Sequence, residues 1–198
     1  MEHFNQALFL LLNAPVLPSL PLVGLAIFFA QYFIWVVPIT WAIGWLRGSE
    51  ACRHATLLAA AASLVALCAN LLIGTVWPQP RPFMIGLGHT LIPHVADASF
   101  PSDHLTLLWS TALALSLRAP TRRIGLMLVG SGLPMAWSRI YLGVHFPLDM
   151  LGAFAVASAA AWLCSCMEHR VLDRAYVPLL LLYRQLCAPL IRRGLLRL

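Results

Sequence analysis

The 198-residue sequence contains no lysine, only seven acidic residues, and charged side chains amount to 10% of it. A soluble globular domain carries about 25% charged residues, so a chain this poor in charge is not one. Intrinsic disorder is excluded as well, because it requires high charge with low hydrophobicity. The cysteines Cys52, Cys68, Cys164, Cys166 and Cys187 include no Cys-x-x-Cys pair, and most lie inside apolar runs. They support neither a disulfide framework nor a metal site, and small hydrophobic packing is their default role. A basic leader is also missing: Met1-Glu2-His3 precedes the first apolar stretch, which is therefore expected to be retained and not cleaved as a secretory signal.

Hydrophobic residues make up 61% of the chain, and the formal charge of +6 comes entirely from thirteen arginines set against the acidic residues. Those arginines are scattered between apolar runs instead of being gathered on one soluble face, which argues against a nucleic-acid partner. The composition predicts an all-α, polytopic transmembrane bundle of about five or six helices. The length suits a single domain over 1–198 at ~20 residues per span.

No charge lies between Glu2 and Arg47, and Leu20 to Leu46 is long enough to cross a bilayer. The piece before it, His3 to Asn13, is cut short by Ala14-Pro15 and the prolines at 18 and 21, and reads as an interfacial helix. The second predicted span is Ala55 to Trp77, stopped by Pro78, Pro80 and Pro82. After a long loop from Pro78 to Asp103, the third runs from about Ser102 to Leu117, the fourth from Ile124 to Trp137, and the fifth from Pro147 to Met167. Ala59 to Ala62 and Ala153 to Ala161 supply the small side chains that let membrane helices approach closely.

Five spans sort the arginines by side. Arg47, Arg53, Arg118, Arg122, Arg123, Arg170, Arg174, Arg184, Arg192, Arg193 and Arg197 fall on one side, and only Arg81 and Arg139 on the other. The positive-inside rule assigns the larger group to the cytoplasm, so the 78–103 and 138–146 loops face outward. The segment 176–198, apolar but broken by Arg184 and Arg192-Arg193, is expected to lie on the cytoplasmic surface as an amphipathic helix.

The outward face collects polar residues that a purely structural bundle does not need. Three clusters stand out: Arg81-Pro82; Pro101-Ser102-Asp103-His104; and Ser138-Arg139 with His145 and Asp149. Each opens or closes a predicted span at that face. Guanidinium forks suit phosphate oxygens, and Ser102 stands at a helix start where backbone N–H groups favour an anion. Two imidazoles allow one to attack and the other to protonate a leaving group, while Asp149 can orient His145. His3, His54 and His169 read as packing or interfacial residues, Asp97 as a loop or turn residue, and Trp137 and Tyr141 as part of an aromatic belt.

The three clusters resemble the signature of the type 2 phosphatidic acid phosphatase (PAP2) superfamily: Lys, six residues, Arg-Pro; Pro-Ser-Gly-His; and Ser-Arg, five residues, His, three residues, Asp. The match runs over a motif core of about 74–149, and its third element is complete at Ser138, Arg139, His145 and Asp149. The resemblance implies that His145 is the nucleophile that becomes a phosphohistidine, supported by Asp149. It implies His104 as the acid toward the leaving group, and Arg81, Ser102 and Arg139 as phosphate ligands, with no metal and no cofactor.

Two positions depart from that pattern. Gly74 stands where the family has lysine, and Asp103 where it has glycine. Gln79, His89 and His94 are candidate substitute donors, each otherwise read as a solvated loop residue. Asp103 must point away from the anion, cap the third helix, or contact Arg81 or Arg139. Pro-Ser-Asp-His, the run Trp137 to His145 and the length all resemble the branch acting on undecaprenyl diphosphate. That implies a polyprenyl diphosphate lipid as substrate, hydrolysed at the outer face of a bacterial cell membrane. The alternatives are a broader lipid phosphatase acting on phosphatidylglycerophosphate or phosphatidic acid, a lipid phosphotransferase, and, more remotely, a non-catalytic lipid transporter.

Overall fold

A computed structural model describes residues 2–193, 195 and 196, and among them every regular element is helical. Arg197, counted above with the cytoplasmic arginines, lies outside the described residues, as does Met1. The short first helix is α1 (Glu2–Leu12). The first expected span is a run of helical turns from Leu20 to Leu46, built from α2 (Leu20–Ile27), a π turn (Phe28–Tyr32), a 3-10 turn (Phe33–Trp35) and α3 (Val36–Leu46). Pro38 accounts for the irregular middle: it has no N–H for the carbonyl one turn back, and its ring crowds that turn.

The other four expected spans correspond to the helices α4 (Glu50–Val76), α5 (Asp103–Ser116), α6 (Arg122–Tyr141) and α7 (Pro147–Cys166), followed by α8 (Glu168–Arg192). Ser49 caps α4 by accepting from the Cys52 N–H, and the prolines that follow Trp77 end it. The Leu20–Leu46 segment, α4 and α7 are long and apolar enough to cross a membrane. At 14 residues α5 is shorter than a bilayer core, but α4, α6 and α7 surround it, and most of its side chains are buried against protein and not lipid.

Close packing follows from small residues at helical spacing. Ala55, Ala59, Ala62 and Ala66 form the buried face of α4, and Ala153, Ala157 and Ala161 that of α7, with Ala112 of α5 in the same core. At Gly125 a Cβ would come within 2.4 Å of the Ser116 backbone nitrogen, so that crossing of α5 and α6 depends on glycine. Three hydroxyls inside this core pair with one another: Ser63 Oγ lies 2.9 Å from Thr111 Oγ1 and accepts from Ser110 Oγ at 2.9 Å.

Two expectations about boundaries change. The fourth span does not stop at Trp137: α6 continues to Tyr141, so Ser138 and Arg139 sit on a helix and only a short turn separates them from His145. The C-terminal helix starts earlier than 176, at Glu168, and is amphipathic. Tyr176 packs edge-on against His54, and Tyr183 lies under the Arg53 guanidinium, 5.2 Å from its carbon. Arg118 anchors the start of α8 through Glu168 at 2.6 Å.

Candidate active site

Four of the six expected site residues meet at the ends of α6 and α7. Arg139 is in the last turn of α6; the chain then reverses through Gly143, at φ +82°, and brings His145 back beneath it. A Cβ on Gly143 would lie 2.2 Å from the His89 carbonyl oxygen, so both the turn and the overlying loop require glycine there. Pro147 opens α7, whose third residue is Asp149.

The imidazole of His145 is 1% exposed and its two nitrogens face different chemistry. Nδ1 lies 3.1 Å from Asp149 Oδ2, an oxygen that also accepts from the Phe146 N–H at 2.8 Å and from Ser99 Oγ. A carboxylate on Nδ1 fixes the proton there. Nε2 then carries the lone pair, and two guanidinium nitrogens converge on it, Arg81 Nη1 at 3.0 Å and Arg139 Nη2 at 3.2 Å. Burial, followed by the charges of Arg139 and Arg81, holds the His145 pKa well below its ordinary 6.5, so the ring is neutral at physiological pH.

The two arginines are held differently. Arg81 donates Nε to Asp97 at 2.8 Å, Nη1 to the Val144 carbonyl at 3.0 Å and Nη2 to the Ala98 carbonyl at 3.1 Å. Asp97 is thus no bystander in the loop but the counter-charge of Arg81, and that pairing holds its pKa down against the opposing effect of burial. Arg139 has no carboxylate partner among the described residues. Its Nη1 donates to the Ala30 carbonyl in the π turn at 3.1 Å, and its buried Nε has no partner there. A buried cation lacking a counter-ion is costly unless an anion joins it. The site is built for an anion beside His145 Nε2.

Ser102 is fully buried at the N-cap of α5, and its Oγ has no partner among the described residues. His104, on the first turn of α5, lines an adjoining cavity of about 620 Å³ together with Gly74, Asp97, Asp103 and the apolar Ile34, Leu67 and Leu107. Asp103 accepts from Asn70 Nδ2 at 2.8 Å, and the same nitrogen reaches Thr106 Oγ1 at 3.0 Å. Of the three outcomes expected for Asp103, contact with a site arginine is thus not the one found.

The candidate lysine substitutes separate cleanly. Gln79 lines a different cavity, with Glu2 and Trp77, and His89 engages Asn13 through its backbone. His94 is not a solvated loop residue: it is half-buried, and its Nε2 lies 3.2 Å from Arg139 Nη2. Ser99 and Asn70 escaped the sequence reading altogether. A serine in a loop and an asparagine in an apolar helix carry no spacing signal, although a lone amide in the Ala- and Leu-rich α4 does hint at a polar neighbour.

Fold and site together define a helical membrane protein in which two guanidiniums converge on one oriented histidine. The chain belongs to the PAP2 superfamily, whose model matches residues 54–173. It is 37% identical over 202 aligned residues to YbjG of Escherichia coli (strain K12), a protein provisionally named undecaprenyl-diphosphatase, covering 100% of this chain and 99% of that one. The undecaprenyl-diphosphatase BcrC of Bacillus subtilis (strain 168) is 40% identical over 134 residues, 68% of each chain. Among solved structures, LpxE of Aquifex aeolicus shares the fold with a TM-score of 0.66 at 23% identity, over 81% of this chain and 94% of that one. A PAP2-type phosphatidylglycerolphosphate phosphatase of Bacillus subtilis does so with a TM-score of 0.61 at 19% identity, over 85% and 86%.

Proposed function

We propose that this protein hydrolyses undecaprenyl diphosphate to undecaprenyl phosphate and orthophosphate, regenerating the lipid carrier of cell-envelope synthesis. The observation that carries the reading is His145, with Nδ1 on Asp149 and Nε2 between Arg81 and Arg139. The names of the two undecaprenyl-diphosphatase relatives support the choice of lipid.

In this mechanism Arg81, Arg139 and Ser102 hold the terminal phosphoryl group, and His145 Nε2 attacks its phosphorus. The bond to the bridging oxygen breaks as His104 donates a proton to that oxygen, and undecaprenyl phosphate departs. Water, deprotonated by the now neutral His104, then cleaves the P–N bond, releasing orthophosphate and restoring His145. Charge developing on the phosphoryl oxygens meets fixed guanidinium donors that need no reorganisation. The apolar wall of the cavity beside His104 suits the first isoprene units of the tail.

The whole chain is read as one domain with its site at the outer face of the bacterial cell membrane. Supporting this orientation, Arg53 and Arg118 lie at the opposite end of the bundle with the other arginines assigned to the cytoplasm, and α8 begins there at Glu168, paired with Arg118. Purified protein in detergent is expected to release phosphate from undecaprenyl diphosphate faster than from phosphatidic acid or phosphatidylglycerophosphate. An acid-labile, base-stable phosphoenzyme should be trapped on rapid quenching. Absence of release from every substrate would overturn the enzymatic reading. Single cysteines near Gly88 and Arg122 test sidedness, and labelling of the Gly88 site only from the cytoplasm would reverse the orientation.

A further inference from the structure

We propose that His94 is the third cationic ligand of the transferred phosphoryl group, supplying from the 86–101 loop the positive charge that a lysine at position 74 supplies elsewhere in the superfamily. The inference rests on the reading of Arg81, His145 and Arg139 as a phosphate site.

Three observations place His94 there. Its Nε2 shares Arg139 Nη2 with His145 Nε2, both at 3.2 Å, so the two imidazoles border the same point in space. Their ring centroids are 6.2 Å apart and the planes nearly perpendicular, so both rings border the same guanidinium nitrogen from different sides. The ring is also aimed: Nδ1 lies 3.1 Å from the Val95 carbonyl, which fixes the proton on Nδ1 and turns Nε2 inward, with Phe83 alongside at a centroid distance of 6.5 Å. Gly74, by contrast, contributes no side chain to the cavity it lines, and no lysine exists elsewhere in the chain.

The free and occupied states differ in the role of Nε2. Without an anion it accepts a hydrogen bond from Arg139 and the ring is neutral. Desolvation lowers its pKa, as do Arg81 and Arg139, while the Val95 carbonyl and Asp97 act the other way. The other titratable groups around the cluster are His145, beneath the same guanidinium, His104, within reach of the charge of His94, and Asp103, which acts on Arg139. A dianionic phosphoryl group takes over the two arginines and adds its own negative charge, so the repulsion that keeps His94 neutral becomes attraction. Nε2 then gains a proton and donates to a phosphoryl oxygen, a charge-assisted bond of the kind a lysine makes.

The test compares wild type with His94→Ala, His94→Lys and the double variant Gly74→Lys/His94→Ala, each checked for folding by thermal stability in detergent. The measurements are kcat and KM on undecaprenyl diphosphate and the affinity for inorganic phosphate. His94→Ala is expected to lower phosphate affinity and raise KM by about tenfold or more. His94→Lys should restore both and remove the rise in KM with increasing pH that the proposal predicts for wild type. The double variant should recover activity because position 74 lines the adjoining cavity, where a Cβ would meet only Ala98, at 3.3 Å. An unchanged KM in His94→Ala, or a loss that neither lysine recovers, overturns the proposal. Arg81→Ala, measured in parallel, separates the two levels: if it leaves phosphate affinity intact, the phosphate-site reading fails and not the role of His94 alone.

Discussion

Arginines are buried at both ends of this bundle, and the two ends treat them in opposite ways. At the end assigned to the cytoplasm, Arg53 donates Nε to the Trp45 carbonyl at 2.9 Å and stacks over Tyr183, while Arg118 pairs with Glu168 and donates to Ser165 at 3.0 Å. These guanidiniums hold helices together. At the other end Arg139 meets one carbonyl and two imidazoles and no carboxylate among the described residues, and the single carboxylate beside Arg81, Asp97, is 57% exposed at its side chain. The sharpest contrast is between Arg118, whose charge is answered by Glu168 as it fastens two helices, and Arg139, whose charge meets no carboxylate among the described residues.

Breaking the contrast at its centre has the largest expected effect. His145→Ala should lower kcat by at least ~10⁴-fold while the protein still inserts in membranes, measured by phosphate release and by membrane fractionation. Retention of a few per cent of activity would remove His145 from the nucleophile's place. Arg139→Lys keeps the charge but loses the fork, and is expected to cost about 10²-fold in kcat/KM, because a point charge cannot reach both His145 and the phosphoryl oxygens.

The pH profile sharpens the same comparison. The pKa of His145 is depressed in the folded protein, so its neutral form, the one the proposed mechanism needs for attack, persists as pH falls through 6.5 and is lost only below the folded value. The acid limb assigned to His145 in kcat/KM should therefore lie below 6.5. Its contribution to stability has the same sign: the unfolded chain takes up the proton first, so the folded state is favoured above the unfolded pKa and weakened as pH falls beneath it. Replacing Asp149 with Asn should impair activity at every pH by removing the acceptor that holds the proton on Nδ1. The smallest effect belongs to the fastening end: Arg118→Ala removes a partly exposed pair worth at most ~1 kcal/mol, and should lower thermal stability slightly with kcat unchanged.

Much of this was legible before any coordinates. The run of apolar segments and the prolines after Trp77 give the helices to within a few residues, because in lipid the backbone has little alternative to a helix. The motif at Ser138, Arg139, His145 and Asp149 predicts a cluster that does assemble. What could not be read was support that depends on distant chain segments. Asp97 and His94 sit in a loop without periodicity, Ser99 reaches Asp149 across fifty residues, and the Ala30 carbonyl meets Arg139 because of a π turn. The fourth span was cut short at Trp137 because polar Ser138 and Arg139 look like a loop; both remain helical, with Ser138 Oγ donating to the Met135 carbonyl at 2.7 Å and Arg139 Nη1 to the Ala30 carbonyl at 3.1 Å.

Asn13, the first residue after α1, bears no reactive group, yet its amide donates to the His89 carbonyl at 2.9 Å and the Tyr141 carbonyl at 3.1 Å, while its Oδ1 accepts from the His89 N–H at 2.7 Å. One side chain thus ties the loop carrying His94 to the turn carrying His145. The two segments that carry these imidazoles are thus braced by a residue from the N-terminal part of the chain, and a change at a side chain with no reactive atom loosens the frame on which both histidines stand.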